Sequence, residues 1–143
     1  MKKEEISVYQ GIQKNAEMAI TAIDTISDKI YDDALALQIA RESLKYSDIK
    51  NRAVDKLLQG KAELYRTSPF SELMLKSGIH MNTMFNTSTS HIAELMIRGS
   101  GMGIVDICKT LNRYPELKGQ AMEMAKELMD FEEKNIERLK KYL

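Results

Sequence analysis

The chain has 143 residues, of which 43% are hydrophobic and 29% charged, and its 21 Lys and Arg residues equal its 21 Asp and Glu residues in number. This length fits one domain, residues 1–143, and the balanced charge excludes a general attraction to nucleic acid or to an anionic membrane. Seven Gly, two Pro and no Trp are typical of a helical globular protein rather than of a disordered or fibrous one.

The sequence contains neither the pattern of a secretory signal nor that of a membrane-spanning helix. Residues 1–5 are charged with no apolar run behind them, and no stretch approaches the ~20 apolar residues of a membrane span. The single cysteine, Cys108, cannot form an intramolecular disulfide, which agrees with a reducing compartment. We therefore expect a cytoplasmic protein without a membrane partner.

The first two predicted helices form a hairpin. Over residues 6–30 the apolar side chains recur every three or four residues: Tyr9, Ile12, Ala16, Ala19, Ile23, Ile26 and Ile30. This spacing predicts a helix with one apolar seam. Asp32 and Asp33 then offer an N-cap for a second helix that runs to about Gly60, and the short connection makes the pair antiparallel.

The second helix carries two apolar stripes. The first contains Leu35, Ile39, Tyr46, Ile49 and Ala53, and the second contains Leu37, Ala40, Leu44, Val54 and Leu58. Two stripes predict contact with more than one neighbour or with a second subunit, so we expect a homo-oligomer, most simply a dimer. Glu42 fills the missing heptad position of the first stripe; it is buried if that stripe faces the core and solvated if the other one does.

The second half of the chain contains a short helix and two long ones. Ser68 and Pro69 are typical of an N-cap and a first helical residue, and they predict a short helix at about 69–85. The polar run 86–90 predicts a break before a main third helix, about 90–113. Tyr114-Pro115-Glu116 then starts a fourth helix, whose apolar face is formed by Leu117, Ala121, Met124, Ala125, Leu128, Phe131, Ile136 and Leu139.

Two hairpins joined by a long connection, residues 61–89, predict an all-α four-helix bundle with one crossover that carries a short extra helix. This plan resembles the ferritin-like superfamily. The segments SHIAELMIRGSGMGI (90–104) and FEEKNIERLKK (131–141) also resemble an uncharacterised family of small helical proteins from clostridia and related Firmicutes. The resemblance implies this fold and a bacterial cytoplasmic setting, and it brings no catalytic residue.

The standard di-iron site of that superfamily needs Glu-x-x-His pairs, because a His three residues after a Glu lies on the same helical face. The sequence contains none. A degenerate metal site, with iron as the example, would use His91 and Glu94 with Glu42 and either Glu123 or Glu127. The competing interpretation pairs Glu94 with Arg98 four residues later as a surface ion pair, and under it we expect no cofactor.

The segment Gly99-Ser100-Gly101-Met102-Gly103 is not a phosphate loop, because no strand precedes it and helical spacing continues through it. Glycines four residues apart let another helix or a bulky side chain approach the backbone closely, so we expect Gly99 and Gly103 to face a neighbouring helix at close range; a kink or a ligand slot is the alternative. Ten Met residues are interpreted as core filler rather than metal or haem ligands.

Two hypotheses follow for function. The first is a non-enzymatic protein that self-associates or binds a partner through the spare apolar face of the second helix or the Met-rich crossover. The second is a ferritin-like protein with an atypical metal or small-ligand site inside the bundle.

Overall fold

The computed structural model describes residues 1–143, and all of its regular secondary structure is helical, as the sequence predicts. The five α-helices are α1 (Lys3–Ile26), α2 (Asp33–Gln59), α3 (Pro69–Thr83), α4 (Thr89–Arg113) and α5 (Gln120–Leu139). Single 3₁₀ turns follow α1 at Ser27–Lys29 and α5 at Lys140–Tyr142. None of the helices combines the length and the apolar character that crossing a membrane requires.

Two helices begin at the caps that the sequence predicts, and a third begins inside the predicted break. The side chain of Asp32 accepts a hydrogen bond of 2.8 Å from the Leu35 amide, and Ser68 accepts one of 3.0 Å from the Ser71 amide. Ser88 does the same for His91 at 3.2 Å, which places the predicted break between α3 and α4 inside the polar run. Each cap satisfies an amide that has no partner within its own helix.

The fourth predicted helix begins later than expected. Instead of starting at Tyr114-Pro115-Glu116, α5 starts at Gln120, directly after Gly119. Gly119 has φ 82° and ψ −152°, a conformation that glycine adopts readily and that a helix cannot contain. The prediction was wrong here because Pro115 fits a turn as well as a helix start.

The long helices pack as two hairpins, α1 against α2 and α4 against α5. Helix α1 also contacts α4, α5 and α3, while α2 contacts α5. The short α3 lies on α1 and has only Thr83 buried, so most of its apolar side chains face outward. The four long helices and Leu117 supply one cluster of 22 buried apolar residues.

The first stripe of α2 faces this core, and the second does not. Leu37, Leu44 and Leu58 of the second stripe are all more than half exposed, whereas Ile39 and Ile49 are buried. Glu42, on the first stripe, is therefore buried at 2% exposure. It shares the interior with five other polar residues: Gln13, Thr83, Ser100, Glu132 and Asn135.

Candidate functional site

A pocket of about 140 Å³ opens beside the glycine-rich part of α4. Its apolar wall is formed by side chains of α1, α3 and α4: Met18, Ala19, Ala22, Leu75, Leu95, Met96 and Met102. Tyr46 from α2 and Glu132 from α5 also line it and are 2% and 1% exposed, so they form its inner end. Met102 is 66% exposed and marks the outer rim. The pocket thus leads from an apolar mouth to a polar interior.

The two glycines predicted to meet a neighbouring helix behave differently. A Cβ at Gly103 would lie 2.8 Å from Asn15 Nδ2 and from Glu132 Oε1, so Gly103 is closely approached by these side chains. Asn15 also donates a hydrogen bond of 3.0 Å to the Gly103 carbonyl, which ties α1 to α4. At Gly99, by contrast, no neighbouring atom lies within 4 Å of the Cβ position. The prediction for Gly99 was wrong, because the space beside it is the pocket and not a packed helix.

Glu132 is held by hydrogen bonds from inside the core. The Tyr46 hydroxyl donates to Glu132 Oε2 at 2.6 Å, and the Asn135 amide donates to the same hydroxyl at 3.4 Å. The ring of Phe131 packs edge-on against that of Tyr46, with centroids 4.8 Å apart. Burial raises the pKa of Glu132 to about 7, although hydrogen bonds from Tyr46 and Ser100 act in the opposite direction. Glu132 therefore changes protonation near neutral pH.

Glu42 is a second buried carboxyl group close to the first. Its Oε2 accepts a hydrogen bond of 3.0 Å from Gln38, while its Oε1 is buried without a partner. The Oδ1 of Asn135 is likewise buried and unpaired. Burial raises the pKa of Glu42 to about 7; the charge of Glu132 adds to this rise, and Gln38 and Arg138 oppose it. Two carboxyl groups in one core thus lose their protons around neutral pH rather than near pH 4.5.

The residues considered for a degenerate metal site lie in different surroundings. His91 places Nδ1 3.4 Å from Glu94 and Nε2 2.7 Å from the Asn82 carbonyl. Glu94 also pairs with Arg98 at 2.8 Å, as the surface interpretation predicts.

On α5, Glu123 is exposed, whereas Glu127 pairs with Arg52 at 2.7 Å and with Lys45 at 3.0 Å. The hydrogen bond from Arg52 in particular lowers the pKa of Glu127 to about 2. Glu42 lies in the core, and no three His, Cys, Asp or Glu side chains are grouped as a metal site. The structure therefore brings His91 next to Glu94 and places Glu42 and Glu127 along one surface pocket, but it does not gather these residues with Glu123 into one site.

Three residues of this site were not predicted from the sequence: Glu132, its partner Tyr46, and Asn15. A signal for Glu132 was present, because Leu128, Glu132, Asn135 and Leu139 follow one another at helical spacing on α5. A carboxylate within an apolar stripe indicates a buried polar group that needs a partner. Comparison with protein-family models, curated proteins and solved structures found no match.

Proposed function

We propose that the protein works by binding rather than by catalysis, and that it holds a small ligand in the pocket between α1, α3 and α4. The observation that carries this proposal is the position of Glu132, which is 1% exposed and yet lines the pocket. A buried carboxylate without an ion pair is costly, and a ligand that contacts it would supply the missing partner. Structural burial alone would be served as well by an apolar side chain.

The apolar walls support the same proposal. The pocket lining contains three methionines, and Met adapts to ligands of different shape because its side chain is unbranched and flexible. Apolar walls with a few convergent polar groups are typical of small-molecule sites. Gly99 keeps the mouth open, because any larger side chain there would project into the pocket.

For the fold we propose a four-helix bundle of ferritin-like topology, formed by α1, α2, α4 and α5, in a cytoplasmic bacterial protein. The two hairpins and the long connection with α3 support this assignment. Bundles of this kind build their sites from side chains that face one another across the interior. Asn15, Tyr46, Ser100 and Glu132 come from four different helices and fit that pattern.

A second proposal concerns assembly, and the exposed side of α2 carries it. Leu37, Ala40, Leu44, Ser47, Asn51, Val54 and Leu58 alternate in steps of three and four residues, which is the spacing of a coiled-coil seam. Its three leucines are 53%, 72% and 58% exposed. We propose that α2 of a second copy covers this seam around a two-fold axis, since such a contact uses the same surface on both subunits.

Methyl-labelled methionine gives a direct test of the pocket. We expect neutral fragments of about benzene's size, such as toluene and benzyl alcohol, to shift the NMR methyl signals of Met18, Met96 and Met102, which line the pocket. Met81, exposed on α3 and outside the pocket, should not respond.

Two glycine variants provide the matched control. Gly99→Leu should abolish the shifts by filling the pocket, whereas Gly101→Leu should preserve them, because Gly101 lies on the same helix but does not line the pocket. The proposal fails if no fragment, charged or neutral, shifts these signals in the unmodified protein.

A further inference from the structure

We infer that the ligand of this pocket is a small organic cation, an ammonium group attached to an apolar body about the size of one six-membered ring. This inference rests on the proposed binding function of the pocket and names the class of ligand. Three observations carry it: the charge of the lining, the oxygen atoms around Gly103, and the volume.

The charged side chains of the lining are all acidic. Glu132 stands at the inner end and Asp106 is exposed near the mouth, while no Lys, Arg or His lines the pocket. Tyr46 satisfies Oε2 of Glu132 with a neutral donor, so the negative charge has no cation beside it in the pocket. When Glu132 is ionised, an anion would be repelled here, and a neutral molecule would leave the buried charge unpaired. A cation removes both costs.

Two side-chain oxygen atoms lie close together beside Gly103, which lines the pocket. The position of a Cβ at residue 103 lies 2.8 Å from Glu132 Oε1 and 3.0 Å from Asn15 Oδ1. The Asn15 amide nitrogen is already used, since it donates to the Gly103 carbonyl, and this bond fixes which way the amide oxygen points. An ammonium group offers three donors, and these two neighbouring acceptors from different helices suit it. A side chain at residue 103 would overlap both oxygens, so glycine is the residue that allows them to stand together at this part of the lining.

The volume limits the rest of the ligand. An apolar cavity of ~150 Å³ admits benzene, and this pocket measures about 140 Å³. Its walls are aliphatic and methionine side chains, which favour a ring or a short alkyl chain over a polar body. A molecule such as benzylamine satisfies both limits, and it is the probe we would use.

Calorimetry at pH 8 tests the inference with four probes of similar size: benzylamine, benzyl alcohol, toluene and benzoate. At this pH Glu132, with a pKa of about 7, is ionised. We expect benzylamine to bind at least about tenfold more tightly than benzyl alcohol, because its ammonium group adds an ion pair to the hydrogen bond that ionised Glu132 accepts from either probe. Benzoate should not bind. This comparison uses the unmodified protein and so does not depend on any variant folding.

Two variants test whether Glu132 causes the preference for benzylamine. Glu132→Gln keeps the shape of the side chain and should remove the preference for benzylamine over benzyl alcohol, whereas Asp106→Asn, at the exposed rim, should weaken it by less. If the neutral probes bind and benzylamine binds no better, the inference of a cation is wrong while the binding function stands. If none of the four probes binds or shifts the methyl signals of the pocket, the binding function itself is wrong.

Discussion

The Tyr46 hydroxyl lies 2.6 Å from Oε2 of Glu132 and joins α2 to α5 across the core, 86 residues apart in sequence. Both side chains are almost completely buried. A carboxylate in such surroundings depends on its few donors, because water cannot replace them. This hydrogen bond therefore ties the stability of the fold to the ionisation of the residue that we propose binds the ligand.

Replacing Tyr46 with Phe should lower the free energy of unfolding by ~1.5 to 3 kcal/mol at pH 8, where Glu132 is ionised and loses a donor. At pH 5 Glu132 is protonated, and the loss should be smaller because a neutral acceptor forms a weaker bond. Urea unfolding at both pH values measures the difference. Tyr31→Phe, at a residue 78% exposed, is the control. Equal losses at pH 5 and pH 8 would show that the hydroxyl does not serve the carboxylate.

Burial of Glu42 and Glu132 predicts that the protein loses stability as the pH rises. The pKa of each is raised from 4.5 to about 7 in the folded state, so between these values the folded state binds more protons than the unfolded one. The free energy of unfolding therefore falls as pH increases from 4.5 to 7, by up to ~3 kcal/mol for each group. Glu127, with a pKa lowered to about 2, has the opposite effect below pH 4.5. We expect maximal stability near pH 4.5 to 5.

Glu42→Gln tests this directly, since it removes one of the two raised pKa values while keeping an oxygen for Gln38 to bond. The variant should be more stable than the unmodified protein at pH 8, and its stability should fall less between pH 4.5 and 7. Thermal unfolding across that range gives both results. Glu133→Gln makes the same charge change at an exposed position of α5 and serves as the control. A variant less stable at pH 8 would mean that the Glu42 carboxylate has a partner that the core does not reveal.

Local signals in the sequence were sufficient for most helix bounds, because a cap acts within one turn of its own chain. The choice between the two stripes of α2 was not local. Both have helical spacing, and only the packing of α1 and α5 against α2 determines which one is buried. For that reason the sequence did not decide whether Glu42 is buried or solvated.

The pocket was harder to predict because it depends on contacts between distant segments. Tyr46 meets Glu132 across 86 residues, and Asn15 meets Gly103 across 88. The glycines of α4 indicated irregular packing around that part of the helix. Periodicity alone does not say which glycine is packed and which faces a pocket. The space beside Gly99 depends on how α1 and α3 are placed around α4, because side chains of these helices form the other walls of the pocket.

Purified protein should contain no stoichiometric di-iron centre and should not oxidise added ferrous iron rapidly. The reason is the missing Glu-x-x-His pairs, together with the contacts of His91, both of whose ring nitrogens lie near protein acceptors. Elemental analysis of protein purified without an affinity tag measures this. Two irons per chain, lost on changing His91 to Ala, would contradict the expectation.

Leu44→Glu should convert the proposed homodimer into a monomer, because it places a charge in the middle of the exposed seam of α2. Light scattering coupled to size exclusion should then give 16.3 kDa, against about twice that for the unmodified protein. Leu73→Glu, at a similarly exposed position of α3, should leave the dimer intact. A monomer mass for the unmodified protein across a wide concentration range would overturn the assembly proposal.

Alanine at the two pocket glycines should change stability in opposite directions. Gly99→Ala meets no atom within 4 Å and gains helix propensity, so it should raise the free energy of unfolding by up to ~1 kcal/mol. Gly103→Ala places a methyl group 2.8 Å from the ends of Asn15 and Glu132, and although Asn15 is able to turn aside, it then loses its bond to the residue 103 carbonyl. Glu132 is held by the core, so overpacking should outweigh the gain in propensity and lower stability by ~1 to 2 kcal/mol. Gly101→Ala, with open space and no place in the pocket, should behave like Gly99→Ala. If thermal unfolding shows Gly103→Ala to be as stable as these two, the side chains beside it are free to move, and the two oxygens are not held in place for a ligand.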